Sequence, residues 1–199
     1  LCGGKSRRMG RSKAMLPFGE ERMLQRVVRL AGEAVEPIVV VSAAGQELPE
    51  LPTGIGVVRD READRGPLEG LRAGLEALGE GVEAAFVTAC DVPLLVPDFA
   101  RRMVELSIGY DATVPHIEGY DHPLSAVYRT GLLTEIEALL AADRLRPAFL
   151  FDQVPTRRVT REDLADVDPD LASLANVNNP QDYTAALARA GIAPTGLST

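Results

Sequence analysis

The sequence is poor in the residues that build disulfide frameworks and structural metal centres, and it has no long apolar run. Its 199 residues include two cysteines, two histidines and no tryptophan. Cys2 and Cys90 are too few for a disulfide framework and lack the spacing of a zinc site. No apolar run approaches the roughly 18 residues of a membrane span, and none follows the early charges as in a signal peptide. We therefore expect a cytoplasmic protein with reduced, packed thiols and no membrane association.

Positive charge is scarce as well. The chain has 29 acidic and 21 basic residues, and its net charge is -8. Such a balance gives no pervasive basic face, which argues against binding to nucleic acid through phosphate contacts. Length and a hydrophobic content of 46% suit one sizeable globular domain. Only two of the basic residues are lysines, so any lysine retained in this arginine-rich chain is of interest.

Short apolar segments alternate with amphipathic ones along the first part of the chain. The apolar segments predict strands at 37–42, 54–60, 83–91 and 111–116. The amphipathic segments predict helices at 21–35, 67–79 and 96–107. Alternation of this kind is typical of βαβ units and predicts an α/β fold with a doubly wound, mostly parallel sheet.

The pattern changes after residue 116. Residues 116–129 predict a hairpin, with GYD (119–121) as its turn, and therefore one antiparallel insertion. Further on, the sequence predicts helices near 130–142 and 145–151, a strand near 156–160 and a last helix from Pro180. No repeat or low-complexity linker interrupts the chain, so we expect a single domain over residues 1–199.

The stretch LCGGKSRRMGRSK, at residues 1–13, holds both lysines of the chain. Its glycines allow backbone amides to approach phosphate oxygens, and Arg7, Arg8 and Lys13 add charge that suits a triphosphate. The stretch matches neither the P-loop nor the dinucleotide-binding pattern. A solvated basic loop is the alternative, and the placement of both lysines here argues against it. Because such a loop follows a strand in an alternating fold, we expect a first strand whose earlier residues precede Leu1.

Two aspartates follow predicted strands, at the edge where open α/β sheets bind ligands. Asp91, in TACDVPLL, would be repelled by a polyphosphate unless Mg²⁺ bridged the two, and its alternative role is an N-cap. Asp60, in VVRD, can accept two parallel hydrogen bonds from an amidine-like edge, such as the N1–H and 2-amino groups of guanine, and its alternative role is in a turn. The doubly wound order also places the fourth strand beside the first, which would bring Cys2 and Cys90 to adjacent strand ends.

All three asparagines of the chain occur in ANVNNP, residues 175–180. A turn or an N-cap accounts for one of them, so we predict a polar binding or metal-supporting role for Asn176 and Asn178. Both histidines, His116 and His122, lie in the predicted hairpin, where one of them is a candidate for facing an anionic substrate. No serine is placed to form a triad with them, which argues against a hydrolase.

With these residues in place, the chain resembles the molybdenum cofactor guanylyltransferases, the MobA family of nucleotidyltransferases, over nearly its whole length. LCGGKSRRMGRSK is similar to the L-x-G-G-x-S-x-R-M-G-x-x-K signature of that family. RDREADRGPLEGL resembles its mid-chain segment around GPL-x-G, and CDVPLL resembles its C-D-x-P motif. DHPLSAVY is similar to its HP hairpin, and NVNNPQD is similar to its N-x-N-T-P-E ending.

The resemblance implies a Rossmann-like nucleotidyltransferase fold and an enzyme that uses Mg²⁺. The implied reaction transfers GMP from GTP to the terminal phosphate of molybdopterin and releases pyrophosphate. Residues 1–110 would form the nucleotide-binding half, and residues 111–199 would form the acceptor-substrate half. Further implied partners are other cofactor-biosynthesis proteins and apo-molybdoenzymes, and we expect a monomer.

The resemblance also assigns roles by position. The residues that would contact the nucleotide are Leu1, Cys2, Gly3, Gly4, Lys13, Ser42, Asp60 and Asp91. Arg8 and Lys13 would hold the phosphates, and together with Asp91, the Mg²⁺ ligand, they form the catalytic set. The residues on the acceptor side would be Asn176, Asn178, Arg7 and His122. Ser42 departs from some relatives, which carry a base-contacting asparagine there, and it offers a shorter contact.

Two alternatives stay open. A molybdopterin cytidylyltransferase usually carries two alanines where this chain has Gly3 and Gly4, and the double glycine leaves room that favours a purine. A non-catalytic nucleotide-binding or scaffold protein is the alternative from a different class. The presence of Lys13 and Asp91 argues against it.

Overall fold

The structure is a computed structural model that describes residues 1–2, 12–60 and 65–193. The strands in these ranges are β1 (Pro17–Phe18), β2 (Glu21–Arg22), β3 (Val39–Ser42), β4 (Gly56–Arg59), β5 (Ala84–Thr88), β6 (Ala112–Ile117), β7 (Tyr120–Asp121), β8 (Ser125–Arg129) and β9 (Thr156–Val159). The α-helices are α1 (Met23–Gly32), α2 (Gly66–Leu78), α3 (Pro97–Leu106), α4 (Leu133–Ala141), α5 (Ala148–Phe151), α6 (Arg161–Leu164) and α7 (Pro180–Arg189). Among the helices in these ranges, none has the length and apolar character needed to cross a membrane.

The strands pair in both directions, so the architecture is α/β with mixed pairing. β3 pairs with β4 in parallel, and β6 pairs with β9 in parallel. β8 lies between β5 and β6 and runs antiparallel to both. β5 and β6 therefore run in the same direction, and their carboxyl ends lie at the same edge. The α/β class and the antiparallel insertion agree with the sequence analysis.

Residues 1–2 connect the β3–β4 pair to the larger sheet through backbone hydrogen bonds. The Leu1 nitrogen donates to the Thr88 carbonyl at 2.6 Å, and the Cys90 N–H donates to the Leu1 carbonyl at 3.0 Å. On the other side, the Cys2 N–H donates to the Val41 carbonyl at 2.8 Å. Residues 1–2 thus lie between β3 and β5, and the predicted adjacency of the two cysteines is confirmed. Both cysteines are free and buried.

Hydrophobic clusters pack on both faces of this sheet because side chains alternate along each strand. In β8, Ala126 and Tyr128 pack with Leu71 and other residues of α2 and α4. Val127, between them, packs on the opposite face with Phe99 and other residues of α1 and α3. The helices therefore hold the sheet from both sides and leave its carboxyl edge to the loops.

Two details of the sequence prediction are wrong. The hairpin turn lies at Glu118–Gly119 rather than at 119–121, because both of these residues have positive φ (52° and 83°), as a two-residue turn with matching twist requires. Tyr120 then pairs with Ile117 in β7. The pattern also missed the short β1–β2 hairpin, which the Tyr183 hydroxyl of α7 stabilises by donating to the Pro17 carbonyl.

Candidate active site

Three distant segments of the chain meet at the side chain of Lys13. Its Nζ donates to Asp91 Oδ2 at 2.7 Å and to Asn178 Oδ1 at 3.0 Å. Asn176 Nδ2 donates to the other carboxylate oxygen, Asp91 Oδ1, at 2.9 Å. Four residues that the sequence analysis selected independently thus form one hydrogen-bonded cluster. The Lys13 and Asp91 side chains are 18% and 15% exposed, so the cluster is partly desolvated and still open to a ligand.

Asp91 lies in the turn that follows β5, at the carboxyl edge of the sheet. Its own carbonyl accepts the Val177 N–H at 2.8 Å, which ties this turn to the asparagine segment. The alternative role of Asp91 as an N-cap is wrong, because α3 begins after Val96 and lacks a side-chain cap. The carboxylate is therefore available for the cluster.

The asparagine segment divides into one capping residue and two cluster residues. Asn179 is the N-cap of α7, since its Oδ1 accepts the Asp182 N–H at 2.9 Å. In return, Asp182 Oδ2 accepts the backbone N–H of Asn178 at 2.8 Å and that of Asn179 at 3.2 Å. This capping box holds the backbone of the segment and leaves the side chains of Asn176 and Asn178 directed at Asp91 and Lys13.

Asp60 follows β4 directly and carries an unsatisfied acceptor. Its N–H donates to the Ser42 carbonyl at 3.0 Å, while its Oδ1 is buried and has no hydrogen-bond partner among the described residues. Burial, and after it the negative charge of Glu69, raise the pKa of Asp60. An unpaired buried acceptor costs about 1–3 kcal/mol, a cost that N–H groups of a ligand would remove. A Cβ atom at Gly70 would lie 3.7 Å from this oxygen and 3.6 Å from the Leu1 side chain, so both residues pack near it.

Ser42 is fully buried at the end of β3. Its Oγ accepts a hydrogen bond of 2.6 Å from Arg59 Nη1. The hydroxyl assigned to a base contact therefore has a partner within the protein, and the contact with a base stays a prediction.

The structure describes only some of the remaining predicted site residues. Gly3, Gly4, Arg7 and Arg8 lie outside the described residues. Leu1 and Cys2 lie at the carboxyl edge between β3 and β5, with Cys2 next to Cys90. A hydrogen bond between the two thiols, as the largest cause, lowers the pKa of Cys2 and raises that of Cys90.

His122 lies at the end of the hairpin, where its N–H donates to the Pro115 carbonyl at 2.9 Å. Burial lowers the pKa of His122, so its imidazole favours the neutral form. The second histidine, His116, contacts Asp121 Oδ1 through Nδ1 at 2.7 Å, and Arg158 lies 3.4 Å from the same oxygen. Among the described residues, no hydrogen bond joins His122 to Lys13 or Asp91. Its assignment to the acceptor stays a prediction.

Arg59 and Gln46 are two residues that the sequence analysis did not select, and both support the edge of the site. Arg59 Nη1 contacts three oxygens of residues 42–46, and the Gln46 amide reaches Cys2 and Ser12. No motif marks them, because their contacts join segments that are distant in the sequence.

Comparison with known proteins gives a consistent family. A family model described as a MobA-like NTP transferase domain matches residues 1–156. The chain is 40% identical over 189 residues to a probable molybdenum cofactor guanylyltransferase of Mycobacterium ulcerans, which covers 93% of this chain and 90% of that protein. A probable molybdenum cofactor guanylyltransferase of Pelotomaculum thermopropionicum is 36% identical over 196 residues, covering 98% and 94% of the two chains.

Solved structures show the same fold. Molybdopterin-guanine dinucleotide biosynthesis protein A from Archaeoglobus fulgidus superposes with a TM-score of 0.79 at 20% identity, covering 96% of each chain. A Mycobacterium tuberculosis protein in complex with manganese has a TM-score of 0.65 at 15% identity, covering 94% of this chain and 95% of that one. A 2-C-methyl-D-erythritol 4-phosphate cytidylyltransferase from Thermus thermophilus has a TM-score of 0.67 at 22% identity, with 93% and 96% covered.

Proposed function

The chain belongs to the family of MobA-like NTP transferases, and we propose that it transfers GMP from GTP to the terminal phosphate of molybdopterin, releasing pyrophosphate. The observation that most supports an active enzyme is the contact of Lys13 with both Asp91 and Asn178. It joins the first, middle and last motifs of the resemblance in one place. A scaffold protein has no need for such a cluster.

The proposed reaction requires alignment of the two substrates and neutralisation of the phosphate charge rather than a covalent intermediate. A phosphate oxygen of molybdopterin forms a bond to the α-phosphorus of GTP, and the bond from that phosphorus to the pyrophosphate oxygen breaks. Lys13 would supply a full positive charge close to the transferred group. Partial burial of Lys13 strengthens the electrostatic interaction between this charge and the phosphates. Asn178 holds the ammonium group in place, which contributes to alignment. Arg8 is proposed to add a second charge on the phosphates.

A divalent cation fits the oxygen atoms of the cluster. The Asp91 carboxylate and the Asn178 carbonyl oxygen are hard donors of the kind that Mg²⁺ prefers. We propose Asp91 as the protein ligand. Within the described residues no group of three acidic, histidine or cysteine side chains could hold a metal ion, so phosphate oxygens and water would complete the coordination, as is usual for Mg²⁺. The ion would neutralise charge on the phosphates.

Asp60 is the proposed reader of the base. The N1–H and 2-amino groups of guanine are two parallel donors, and the buried Oδ1 of Asp60 lacks a donor within the described protein. Leu1 and Cys2, with Gly3, Gly4 and Ser42, would line the rest of the nucleotide site. Asn176, Asn178, Arg7 and His122 are proposed for the acceptor side. For Asn176 and Asn178, the contacts to Asp91 and Lys13 support a place where the two substrates meet.

We also propose that β3, β4 and β5 belong to one doubly wound sheet. The backbone hydrogen bonds of residues 1–2 to β3 and to the segment at the end of β5 support this arrangement. We propose one domain with a nucleotide-binding half at 1–110 and an acceptor-substrate half at 111–199. A cytoplasmic location, a monomeric state and contacts with cofactor-biosynthesis proteins and apo-molybdoenzymes stay predictions.

A comparison of nucleotide substrates tests the proposed reaction directly. GTP, CTP or ATP is supplied separately with molybdopterin and Mg²⁺, and pyrophosphate release is followed. We expect a kcat/KM for GTP at least about a hundredfold above that for CTP, because a buried acceptor rejects a base that lacks the matching donors. Equal turnover of CTP would assign the cytidylyl reaction instead. No pyrophosphate release with any nucleotide would favour the non-catalytic alternative.

Asp60→Asn should increase stability while it removes the preference for guanine. Because the folded state raises the pKa of Asp60, it binds the proton more tightly than the unfolded state, and ionisation at neutral pH therefore reduces stability. The neutral amide removes this cost, and we expect a rise of about 2 °C in Tm. We also expect GTP binding by the wild type, but not by the variant, to weaken from neutral to mildly acidic pH as the carboxylate takes up a proton.

Thermal unfolding and equilibrium GTP binding measure the two effects of Asp60→Asn. Asp152→Asn, at an exposed aspartate after α5, is the matched control and should change neither. A lower Tm for Asp60→Asn, or an unchanged ratio of GTP to CTP affinity, would contradict the role of Asp60.

A further inference from the structure

Gln46 connects the two chain segments that flank the glycine-rich stretch. Its Nε2 donates to the Cys2 carbonyl at 2.8 Å and to Ser12 Oγ at 3.4 Å. Cys2 and Ser12 are the described residues on either side of residues 3–11. A single side-chain amide therefore holds both positions at the carboxyl edge of the sheet.

The orientation of this amide follows from its partners. Gln46 Oε1 accepts the Ala43 N–H at 3.3 Å, which requires an acceptor at that position. Nε2 faces a carbonyl and a hydroxyl, both of which can accept. The backbone brings the side chain into place through the turn at Gly45, whose φ of 72° suits glycine.

Arg59 supports Gln46 from the neighbouring strand. Its Nη1 donates to the Gln46 carbonyl at 2.8 Å, to the Ala43 carbonyl at 3.1 Å and to Ser42 Oγ at 2.6 Å. Arg59 lies opposite Ser42 in the parallel β3–β4 pair and precedes Asp60 in the chain. The residues that hold Gln46 are thus continuous with the strand end that carries the proposed base reader.

We propose that Gln46 is a positioning residue for nucleotide binding, which acts by holding Cys2 and Ser12 at a constant separation. The inference rests on the proposed function, because it requires the nucleotide to bind at this edge. Holding Cys2 and Ser12 in place before the nucleotide binds reduces the conformational entropy lost on binding, so we expect the effect of Gln46 on nucleotide affinity rather than on kcat. The Gln46 amide is hydrogen-bonded to Ala43, Cys2 and Ser12, so we assign it no contact with substrate.

The first test compares Gln46→Ala with Gln25→Ala. Gln25 is a matched control: its Nε2 donates to the Glu50 carbonyl at 2.8 Å and its Oε1 accepts the Arg22 N–H at 2.7 Å. Each alanine thus removes the same kinds of side-chain to backbone bonds, and only one does so beside the site. Because a hydrogen bond contributes about 1 kcal/mol net, Gln46→Ala should raise the Kd and KM for GTP about fivefold. It should change kcat less than about threefold and leave the KM for molybdopterin unchanged.

Gln46→Glu separates the role of the donor from that of side-chain size. The carboxylate can still accept the Ala43 N–H but has no proton for the Cys2 carbonyl, so the loss of GTP affinity should equal or exceed that of Gln46→Ala. Relative to the wild type, affinity should partly recover at acidic pH, where the protonated carboxyl can donate. A simple loss of folded protein would not show this recovery.

Tryptic cleavage of the substrate-free protein provides a readout that does not depend on the nucleotide. Lys5, Arg7, Arg8 and Arg11 are cleavage sites between Cys2 and Ser12, and cleavage there should be faster in Gln46→Ala than in Gln25→Ala. A Kd for GTP within twofold of the wild type in Gln46→Ala, or equal effects of the two alanines on Kd, would overturn the inference. If the wild type itself binds no GTP, the proposed function fails, and the cleavage rates alone then decide whether Gln46 holds these two positions.

Discussion

Asp91→Asn should lower kcat about a thousandfold and leave the fold intact. The amide has nearly the same shape and keeps an oxygen that can accept the Asn176 hydrogen bond. It removes the negative charge that binds Lys13 and the proposed divalent cation, and it turns an N–H₂ group towards the Lys13 ammonium. Loss of one preorganised electrostatic contact in an active site typically costs a hundredfold to a thousandfold, and loss of a metal ligand adds to this.

Steady-state pyrophosphate release measures the effect of Asp91→Asn, and Mn²⁺ binding followed by electron paramagnetic resonance gives a second readout without turnover. Asp166→Asn is a matched control, because Asp166 accepts a hydrogen bond of 2.6 Å from Arg102 in an ion pair elsewhere on the protein. It should keep full activity. Full activity of Asp91→Asn, or unchanged Mn²⁺ affinity, would contradict the assignment of Asp91.

Lys13→Met should lower kcat/KM about a hundredfold to a thousandfold, and Lys13→Arg should not restore it. The ammonium group donates to two oxygens, at 2.7 Å on Asp91 and 3.0 Å on Asn178, from a partly buried position. The planar, larger guanidinium cannot place a point charge between the same two oxygens. Methionine keeps the length and the apolar stem of the side chain, so the loss reports on the charge.

The double variant Lys13→Met with Asp91→Asn tests whether the two residues act as a unit. We expect its kcat/KM to be close to that of the more severe single variant, since groups that act together are strongly non-additive. Arg102→Met removes the other partner of the Asp166 ion pair and should leave kcat/KM unchanged. A Lys13→Met enzyme within tenfold of the wild type, or additive effects in the double variant, would contradict the role of Lys13.

The sequence predicted much of the cluster because several of its residues were scarce. Lys13 was one of two lysines, and Asn176 and Asn178 belonged to the one segment that holds asparagine. Asp91 followed an apolar strand, and the carboxyl ends of strands are where such sheets bind ligands. Composition and strand order therefore indicated the components of the site, and the resemblance supplied their roles.

The contacts between these components could not be predicted from the sequence. Ser42 received a ligand role because nothing in its neighbourhood shows that Arg59 reaches its hydroxyl. Gln46 was not selected, because a glutamine in a polar loop is unremarkable until its distances to Cys2 and Ser12 are known. The hairpin turn was displaced because Glu118, which is rarely expected at positive φ, adopts it. Hydrogen bonds between distant segments depend on side-chain geometry that local patterns do not contain.

The hydrogen bond between Lys13 and Asn178 spans 165 positions, and the one between Asn176 and Asp91 spans 85. Chains are made from the amino terminus, so the strands around residues 1–2 and β5 emerge long before the segment that completes the cluster. A ribosome-bound chain that has released only residues 1–100 already carries the glycine-rich stretch, Asp60 and Asp91, but not Asn176 and Asn178. The complete cluster therefore forms only after the asparagine segment has emerged, well after the sheet residues that it contacts.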